Sequence, residues 1–392
     1  MKSVLTIIAF CFVIAHTQNA LISPSFADIV YFFSSTPELL NLSNVSFALG
    51  VSVGGLIFGS LSDSIGRKKS LLCGLAFIFI GCLLMISAKN IHFLILYRFI
   101  QGFGNSAPTV LSIVMIFDHF KIKIARKIVG YQNGVLTLGK SIAPVLGGYV
   151  NILFGWKANY IIIACFTVAC IISVVLFLKP SIKHTTNNSV LSNVLNSVNH
   201  LKSLLSDKLF VGYAVSVGLI LSSILTYTLC SSILFINKLG VEKSLYGYYQ
   251  AAIWCSYGIF NLLNHLIVIH LGLIKVRICG FVMITLGIVT MNIASHLFTH
   301  PIFITGGMVL FSIGAALIIP ILVTNAMSLH SSIKGSSSSA IAFIRTILIS
   351  ANIAAFNLFG AKSIISLTTI ISVLFVFTIC IYIFIIRKAD KM

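Results

Sequence analysis

Charged residues are scarce in this sequence, and acidic residues are the scarcest. Only 8% of the 392 residues carry a charge, and 7 Asp and Glu stand against 26 Lys and Arg. Soluble domains carry roughly 25% charged residues, so this chain has too little charge to cover a surface that faces water. Because 58% of the residues are hydrophobic, the composition excludes an ordinary soluble domain and indicates an integral membrane protein.

Sequence signals of catalysis and metal binding are also missing. The 9 cysteines include no C-x-x-C pair, and zinc or disulfide frameworks need such close spacing. The chain has no Gly-rich phosphate loop followed by Lys and Ser or Thr, and no nucleophile beside a base. We therefore expect no enzymatic activity, no bound metal and no cofactor.

Long hydrophobic runs recur along the whole chain. A helix needs about 20 apolar residues to cross a bilayer, and such segments must be helical to satisfy their own backbone polar groups in lipid. The sequence therefore predicts an all-α membrane protein with twelve transmembrane helices. The predicted spans are 4–30, 46–62, 70–88, 93–117, 128–152, 158–178, 209–236, 244–270, 273–297, 301–327, 335–360 and 363–386.

The basic residues are distributed unevenly between the two ends of these spans. If the amino terminus faces the cytoplasm, most Lys and Arg fall in loops and tails on that side, which is the positive-inside rule. We therefore predict that both termini are cytoplasmic and interpret the net charge of +19 as a signal of orientation and of contact with anionic lipid, not with nucleic acid. The exceptions are five outer residues (Lys89, Lys157, Lys238, Lys243, Lys362) and three within spans (Arg98, Lys140, Arg345).

The first hydrophobic run also fits a secretory signal peptide. Lys2 precedes apolar residues 4–15, and polar residues 16–19 follow. Hydrophobicity resumes at 20–33 and completes a span, so we expect an uncleaved first transmembrane helix.

A polar stretch in the middle of the chain separates six predicted spans from six others. We predict an amino-terminal six-helix bundle at 1–180, a cytoplasmic linker at 181–207 and a carboxy-terminal six-helix bundle at 208–392. Apolar residues in the linker recur near helical spacing, which is typical of an amphipathic helix on the inner surface, but we expect the linker to act mainly as a passive tether.

Residues 59–71 form a short, basic connection between the second and third spans. Gly59, Asp63, Gly66, Arg67 and Lys68 stand at the spacing G-x-L-x-D-x-x-G-R-K. This pattern resembles the loop between the second and third helices of major facilitator superfamily transporters. The resemblance implies a loop that gates the cytoplasmic side, while the charge alone would also serve to anchor topology. A weaker echo, Gly272 with Lys275 and Arg277, follows the eighth span, and fits two pseudo-repeats of six helices.

Further motifs resemble the Bcr/CflA branch of bacterial drug:proton antiporters within that superfamily. Arg98 and Gln101 match the R-x-x-Q-G segment of its fourth helix. The fifth predicted span resembles its antiporter motif, where small residues allow close helix packing and a proline bends the helix. The residues of that motif are Gly139, Pro144, Gly147 and Gly148.

One departure from this branch concerns the first helix. The branch typically carries an acidic residue four positions before the proline of the first helix, and here that residue is Ala20. The predicted interior therefore holds Arg98, Lys140 and Arg345 with almost no carboxylate, since only Asp28 comes near a membrane-embedded position. Such an interior would favour anionic or zwitterionic cargo.

Proton coupling would then need another titrating group in the interior. His16, with Asn19 on its helix face, and Lys140 are the candidates. Asn352, seven residues after Arg345, would add polar lining, although a single Asn is more often an interhelical hydrogen bond.

These observations predict a monomeric secondary transporter of the bacterial inner membrane that rocks its two halves about a site at mid-depth. The resemblance implies proton-coupled efflux of small molecules or drugs. The alternative is an uptake or exchange carrier for an anionic or zwitterionic metabolite.

Overall fold

The computed structural model describes residues 2–120, 122–178, 201–298, 300–330, 334–358 and 363–386, and every regular element in those ranges is a helix. The chain divides into two compact units, Met1–Asn199 and His200–Met392. Most of the predicted linker helix lies outside the described residues, and only 201–206 is seen as helix.

The described residues of the first unit form six long helical segments. The first of these is broken by a 3₁₀ turn at Ser23–Ser25, which contains Pro24 and separates α1 from α2. The helices are α1 (Lys2–Ile22), α2 (Phe26–Phe32), α3 (Pro37–Ile65), α4 (Arg67–Ile86), α5 (Ile91–His119), α6 (Ile122–Phe154) and α7 (Trp156–Phe177).

From Lys208 on, the described part of the second unit also forms six long helices. Three of them end in a π-helical turn, at Leu234–Lys238, Ala294–Phe298 and Tyr382–Ile386. The helices are α8 (Lys208–Ile233), α9 (Lys243–Leu271), α10 (Leu273–Ile293), α11 (Pro301–Leu329), α12 (Lys334–Leu358) and α13 (Ile364–Ile381).

The same pairs of helices pack together inside each unit. In the first unit α1 contacts α5, α6 and α7, while α5 contacts α3 and α4, and α4 contacts α7. In the second unit α8 contacts α11, α12 and α13, while α11 contacts α9 and α10, and α10 contacts α13. The pairing is identical when α1 and α3–α7 are matched in order with α8–α13, which confirms the prediction of two six-helix pseudo-repeats.

Single glycines with positive φ connect consecutive helices in both units. Gly66 joins α3 to α4 with φ of 90°, and Gly272 joins α9 to α10 with φ of 80°. A residue with a side chain rarely adopts such a φ. The weak sequence echo at Gly272 therefore marks a matching turn at the corresponding place of the second unit.

Eleven helices of the described residues are long and apolar enough to cross a membrane. The 33-residue α6 is not one of the eleven. With α6 as the remaining span, the fold agrees with the predicted twelve.

The predicted limits of the second span are too narrow. The sequence suggests 46–62, whereas α3 runs from Pro37, with Thr36 accepting the first capping hydrogen bond. The added segment contains Asn41 and Asn44, which read as loop residues by composition but are buried against neighbouring helices.

Candidate functional site

Arg98 lies at the centre of a polar cluster inside the first unit. Its side chain is 0% exposed. Its Nη1 donates to Asn19 Oδ1 and to Gln101 Oε1, both at 3.1 Å, and its Nη2 donates to Asn44 Oδ1 at 3.4 Å. The cation is therefore bonded by neutral amides from α1, α3 and its own helix α5.

A chain of amides extends this cluster away from the guanidinium. Gln101 Nε2 donates to Gln18 Oε1 at 2.9 Å, and Gln18 Nε2 donates in turn to Asn105 Oδ1. Gln101 also approaches Cys82 Sγ at 3.4 Å. We call the set formed by Gln18, Asn19, Asn44, Arg98, Gln101, Asn105 and Tyr160 the Arg98 cluster.

The Arg98 cluster has more donors than acceptors. Arg98 Nε, Asn44 Nδ2 and Tyr160 Oη are buried and have no hydrogen-bond partner among the described residues. Aromatic faces partly offset the charge, since the guanidinium carbon lies 5.3 Å from the Phe47 ring centroid and 6.0 Å from that of Tyr160. No carboxylate pairs with Arg98 in the part of the chain that the structure describes, and an unpaired buried charge costs several kcal/mol.

Other predicted pathway residues of the first unit lie apart from this hydrogen-bond network. His16 is half-buried, and its Nδ1 lies 2.9 Å from the Phe12 carbonyl of its own helix. Asp28 accepts from Asn151 Nδ2 and so joins α2 to α6. Lys140 is half-buried on α6. Of the first-unit pathway set, the structure therefore brings Asn19, Arg98 and Gln101 together.

The antiporter-motif residues bring α6 against α1. A Cβ at Gly147 would stand 1.8 Å from the Leu21 carbonyl oxygen, and one at Gly139 would stand 2.8 Å from Thr17 Cγ2. Pro144 and Gly148 are buried on the same helix. Close packing of this kind needs the small residues that the motif supplies.

The predicted gating loop forms an ion cluster at one end of the first unit. Arg67 Nη1 donates to Asp63 Oδ1 and Ser62 Oγ, and Arg67 Nε donates to Asp118 Oδ2 at 3.0 Å. We call Ser62, Asp63, Arg67 and Asp118 the Arg67 cluster. It joins the ends of α3, α4 and α5.

Lys68 and Gly59 of the predicted gating loop lie outside the Arg67 cluster. Lys68 Nζ donates to the Val175 carbonyl at 2.8 Å, near the end of α7. A Cβ at Gly59 would meet nothing within 4 Å, so close packing does not explain that glycine.

The second unit holds its own buried arginine. Arg345 Nε on α12 is buried and has no hydrogen-bond partner among the described residues. Tyr257, whose side chain hydrogen-bonds Asn261, interacts electrostatically with Arg345. Asn352 Nδ2 donates to Ser222 Oγ, which fastens α12 to α8.

A family model and similar proteins agree with this architecture. Residues 8–352 match the model described as Major Facilitator Superfamily. The chain belongs to the Major Facilitator Superfamily. This places it among transporters and not among enzymes, as the sequence predicts.

Curated relatives in this superfamily carry names related to drug resistance. The chain is 27% identical over 226 residues to a bicyclomycin resistance protein homolog of Haemophilus influenzae, a match that covers 58% of this chain and 56% of that protein. It is 24% identical over 344 residues to the chloramphenicol resistance protein CraA of Acinetobacter baumannii, covering 87% of this chain and 81% of the relative. These relatives agree with the resemblance to the drug:proton antiporter branch. The first of these matches spans only about half the length of the relative.

Solved structures of the superfamily share the fold. A D-xylose-proton symporter crystal structure superposes with a TM-score of 0.73 at 14% identity, covering 96% of this chain and 97% of the symporter. The xylose transporter XylE from E. coli, in a partially occluded inward-open conformation, gives 0.73 at 15% identity, with 97% and 96% covered. At this identity the likeness shows the superfamily fold alone.

Sequence reasoning missed several residues of these clusters. Asp118 closes the Arg67 cluster, and its one sequence signal is an acid at the end of the fourth span. Gln18, Asn44 and Asn105 belong to the Arg98 cluster, but they come from three helices and share no local motif. In the second unit, Gln250 donates to Ser231 Oγ at 3.1 Å and to Tyr246 Oη, a fully buried neutral cluster without a sequence signal.

Proposed function

We propose that this protein is a secondary active transporter that exports small molecules from the bacterial cytoplasm across the inner membrane in exchange for protons. The Arg67 cluster carries this proposal, because its ion pairs join the ends of three helices and can break and re-form during alternating access. The resistance-related names of the relatives support export as the direction. Both termini in the cytoplasm and a monomeric state are parts of the same proposal.

The Arg67 cluster would hold the ends of α3, α4 and α5 together on the cytoplasmic side. Arg67 bonds acids on two different helices, Asp63 on α3 and Asp118 on α5. The guanidinium of Arg67 is mostly shielded, with a side chain 13% exposed, so solvent weakens these bonds less than at an open surface. Breaking them would release the end of α4 from both neighbours in the state that is open to the cytoplasm.

Resistance of a host that lacks its own major exporters tests the proposal. Expression of the protein should raise the inhibitory concentration of chloramphenicol or bicyclomycin several-fold, and a protonophore should restore drug accumulation. Lys89→Gln, which removes an exposed loop charge, should behave like the wild type, whereas Arg67→Ala should not protect. Unchanged susceptibility at normal membrane levels of the protein would reject drug export.

A second candidate function is the uptake or exchange of an anionic or zwitterionic metabolite. The observation that favours it is the buried Arg98 without a carboxylate partner among the described residues. Ala20 stands in the first span where the resembling branch has an acid, so the first helix offers Arg98 no charge of opposite sign from that position. Uptake of labelled organic acids into vesicles, with no change in drug susceptibility, would select this function.

A further inference from the structure

We propose that one edge of Arg98 is a binding site for a planar oxyanion, with the carboxylate group of a transported solute as the expected ligand class. The inference rests on the second candidate function for its physiological meaning. Its physical basis is the unequal use of the two edges of the guanidinium group by the surrounding amides.

The amides that bond Arg98 well lie on one side of the group. Asn19 and Gln101 both accept from Nη1 at 3.1 Å. The other edge is formed by Nε and Nη2, whose N–H bonds point in the same direction. On that edge Nε has no partner among the described residues, and Nη2 has one long hydrogen bond of 3.4 Å to Asn44.

The free edge has the geometry that recognises a carboxylate. Two parallel N–H donors on a planar fork match the two oxygens of a carboxylate and bind it in a bidentate way. The ligand would also supply the negative charge that Arg98 lacks. A neutral ligand or a single water would leave the buried cation uncompensated.

Two residues next to the Arg98 guanidinium have further unpaired donors. Asn44, already within 3.4 Å of Nη2, has a buried and unpaired Nδ2, and the hydroxyl of Tyr160 is buried and unpaired as well. The Tyr160 ring centroid lies 6.0 Å from the guanidinium carbon. Arg98 Nε, Asn44 Nδ2 and Tyr160 Oη are all unpaired and can all donate a hydrogen bond. The complementary ligand is therefore an acceptor with more than one oxygen.

Thermal unfolding of the purified full-length protein in sodium salts at constant ionic strength tests the site. Acetate should raise the unfolding temperature with increasing concentration, because a ligand that binds only the folded state stabilises it. Chloride should not, since a single spherical ion does not use the fork. Equal stabilisation by chloride and acetate, or by neither, would overturn the proposal. Nitrate separates an inorganic oxyanion from a carboxylate, and a response to nitrate alone would overturn the carboxylate as the ligand class.

Three variants tie the response to the named atoms. Arg98→Lys keeps the charge but loses the fork, so the preference for acetate over chloride should disappear. Tyr160→Phe removes only the unpaired hydroxyl and should weaken the acetate response. It replaces Arg98→Lys as the test if that variant does not fold. Asn19→Asp supplies a carboxylate next to Nη1 and should abolish the acetate response. Lys89→Gln is the control and should respond like the wild type. An unchanged acetate response in both Tyr160→Phe and Asn19→Asp would place acetate elsewhere.

The acetate experiment and the resistance test can fail independently of each other. Resistance without an acetate response would reject this inference alone. An acetate response without resistance would reject drug export and leave the oxyanion site in place.

Discussion

Arg98 carries a full charge inside the first unit, bonded by neutral oxygens of Asn19, Asn44 and Gln101. A buried arginine without a carboxylate is costly to fold, by several kcal/mol. Proteins keep such groups where a ligand or a moving charge uses them. We therefore propose that Arg98 serves transport at a cost to the stability of the first unit.

Arg98→Gln should abolish transport while the protein still reaches the membrane. The substitution removes the fork and leaves amide oxygens without their donor, at a cost of about 1–3 kcal/mol for each group left unsatisfied. The measurement is transport normalised to the amount of folded protein, with Lys89→Gln as the charge-matched control. Normal transport by Arg98→Gln would remove this residue from the pathway.

The sequence predicts Arg98, Gln101 and Asn19 as pathway residues, but not the rest of their cluster. A cation in an apolar run is conspicuous because its burial is expensive, whereas Asn44 and Gln18 are ordinary polar residues until helix packing brings them together. Their meeting depends on contacts between α1, α3 and α5, and no local pattern encodes such contacts.

At the scale of helices, the sequence predicts only the apolar part of α3. Hydropathy places the span where apolar residues are continuous, and so misses the polar turns from Pro37 to Asn44. Those turns are helical because Thr36 caps them and neighbouring helices bury Asn41 and Asn44. The glycine turns, by contrast, are predictable, because a motif fixes Gly66 and Asp63 at a defined spacing.

Asp118→Asn should reduce transport strongly and stability only slightly. Its carboxylate is partly exposed and its pair with Arg67 is worth at most about 1 kcal/mol to folding, but the same bond fastens α4 to α5. Transport rate and unfolding temperature are measured on the same preparations. The control is Glu38→Gln, which lies at the end of α3 far from the Arg67 cluster. Equal transport by the two variants would contradict a gating role of Asp118.

Gly147→Ala should destabilise the first unit by about 1–3 kcal/mol. The added Cβ would lie 1.8 Å from the Leu21 carbonyl, so α1 and α6 would have to separate. Gly55→Ala is the matched control, since a Cβ there meets nothing within 4 Å. Unfolding midpoints of the two variants check this, and equal midpoints would show that α1 and α6 are not in such close contact.

The start of α8 carries a pH-dependent contact. Asp207 caps the helix through the N–H groups of Leu209 and Phe210, and its Oδ2 lies 2.9 Å from His330 Nε2 at the end of α11. Burial alone would raise the pKa of Asp207, but the hydrogen bonds from Phe210, His330 and Leu209 outweigh burial and lower that pKa.

A lowered pKa in the folded state means that this contact stabilises the protein above the ordinary Asp pKa of about 4 and is lost as pH falls through the folded value. Asp207→Asn should therefore destabilise the protein near neutral pH, by at most about 1 kcal/mol for a partly exposed pair. The difference from the wild type should shrink below about pH 4. A difference that does not change with pH would exclude the charge of Asp207 as its cause.

At the scale of the whole chain, the two units repeat one pattern of helix contacts. Composition and the twelve apolar runs already predict the class of protein, since few folds accommodate so many spans. The cargo is not predictable in this way, because it depends on a few side chains that the packing of each unit brings together. The Arg98 cluster is the clearest example in the described residues.

Transport by the purified protein in liposomes is the decisive measurement of the proposed function. With a pH gradient imposed across the liposome membrane, we expect the protein to move chloramphenicol or an organic acid against its own gradient. Arg98→Gln should stop this movement, and Lys89→Gln should not. If neither class of compound crosses faster than in protein-free liposomes, the protein is not a transporter of these compounds. If Arg98→Gln transports as well as the wild type, Arg98 is not part of the transport pathway.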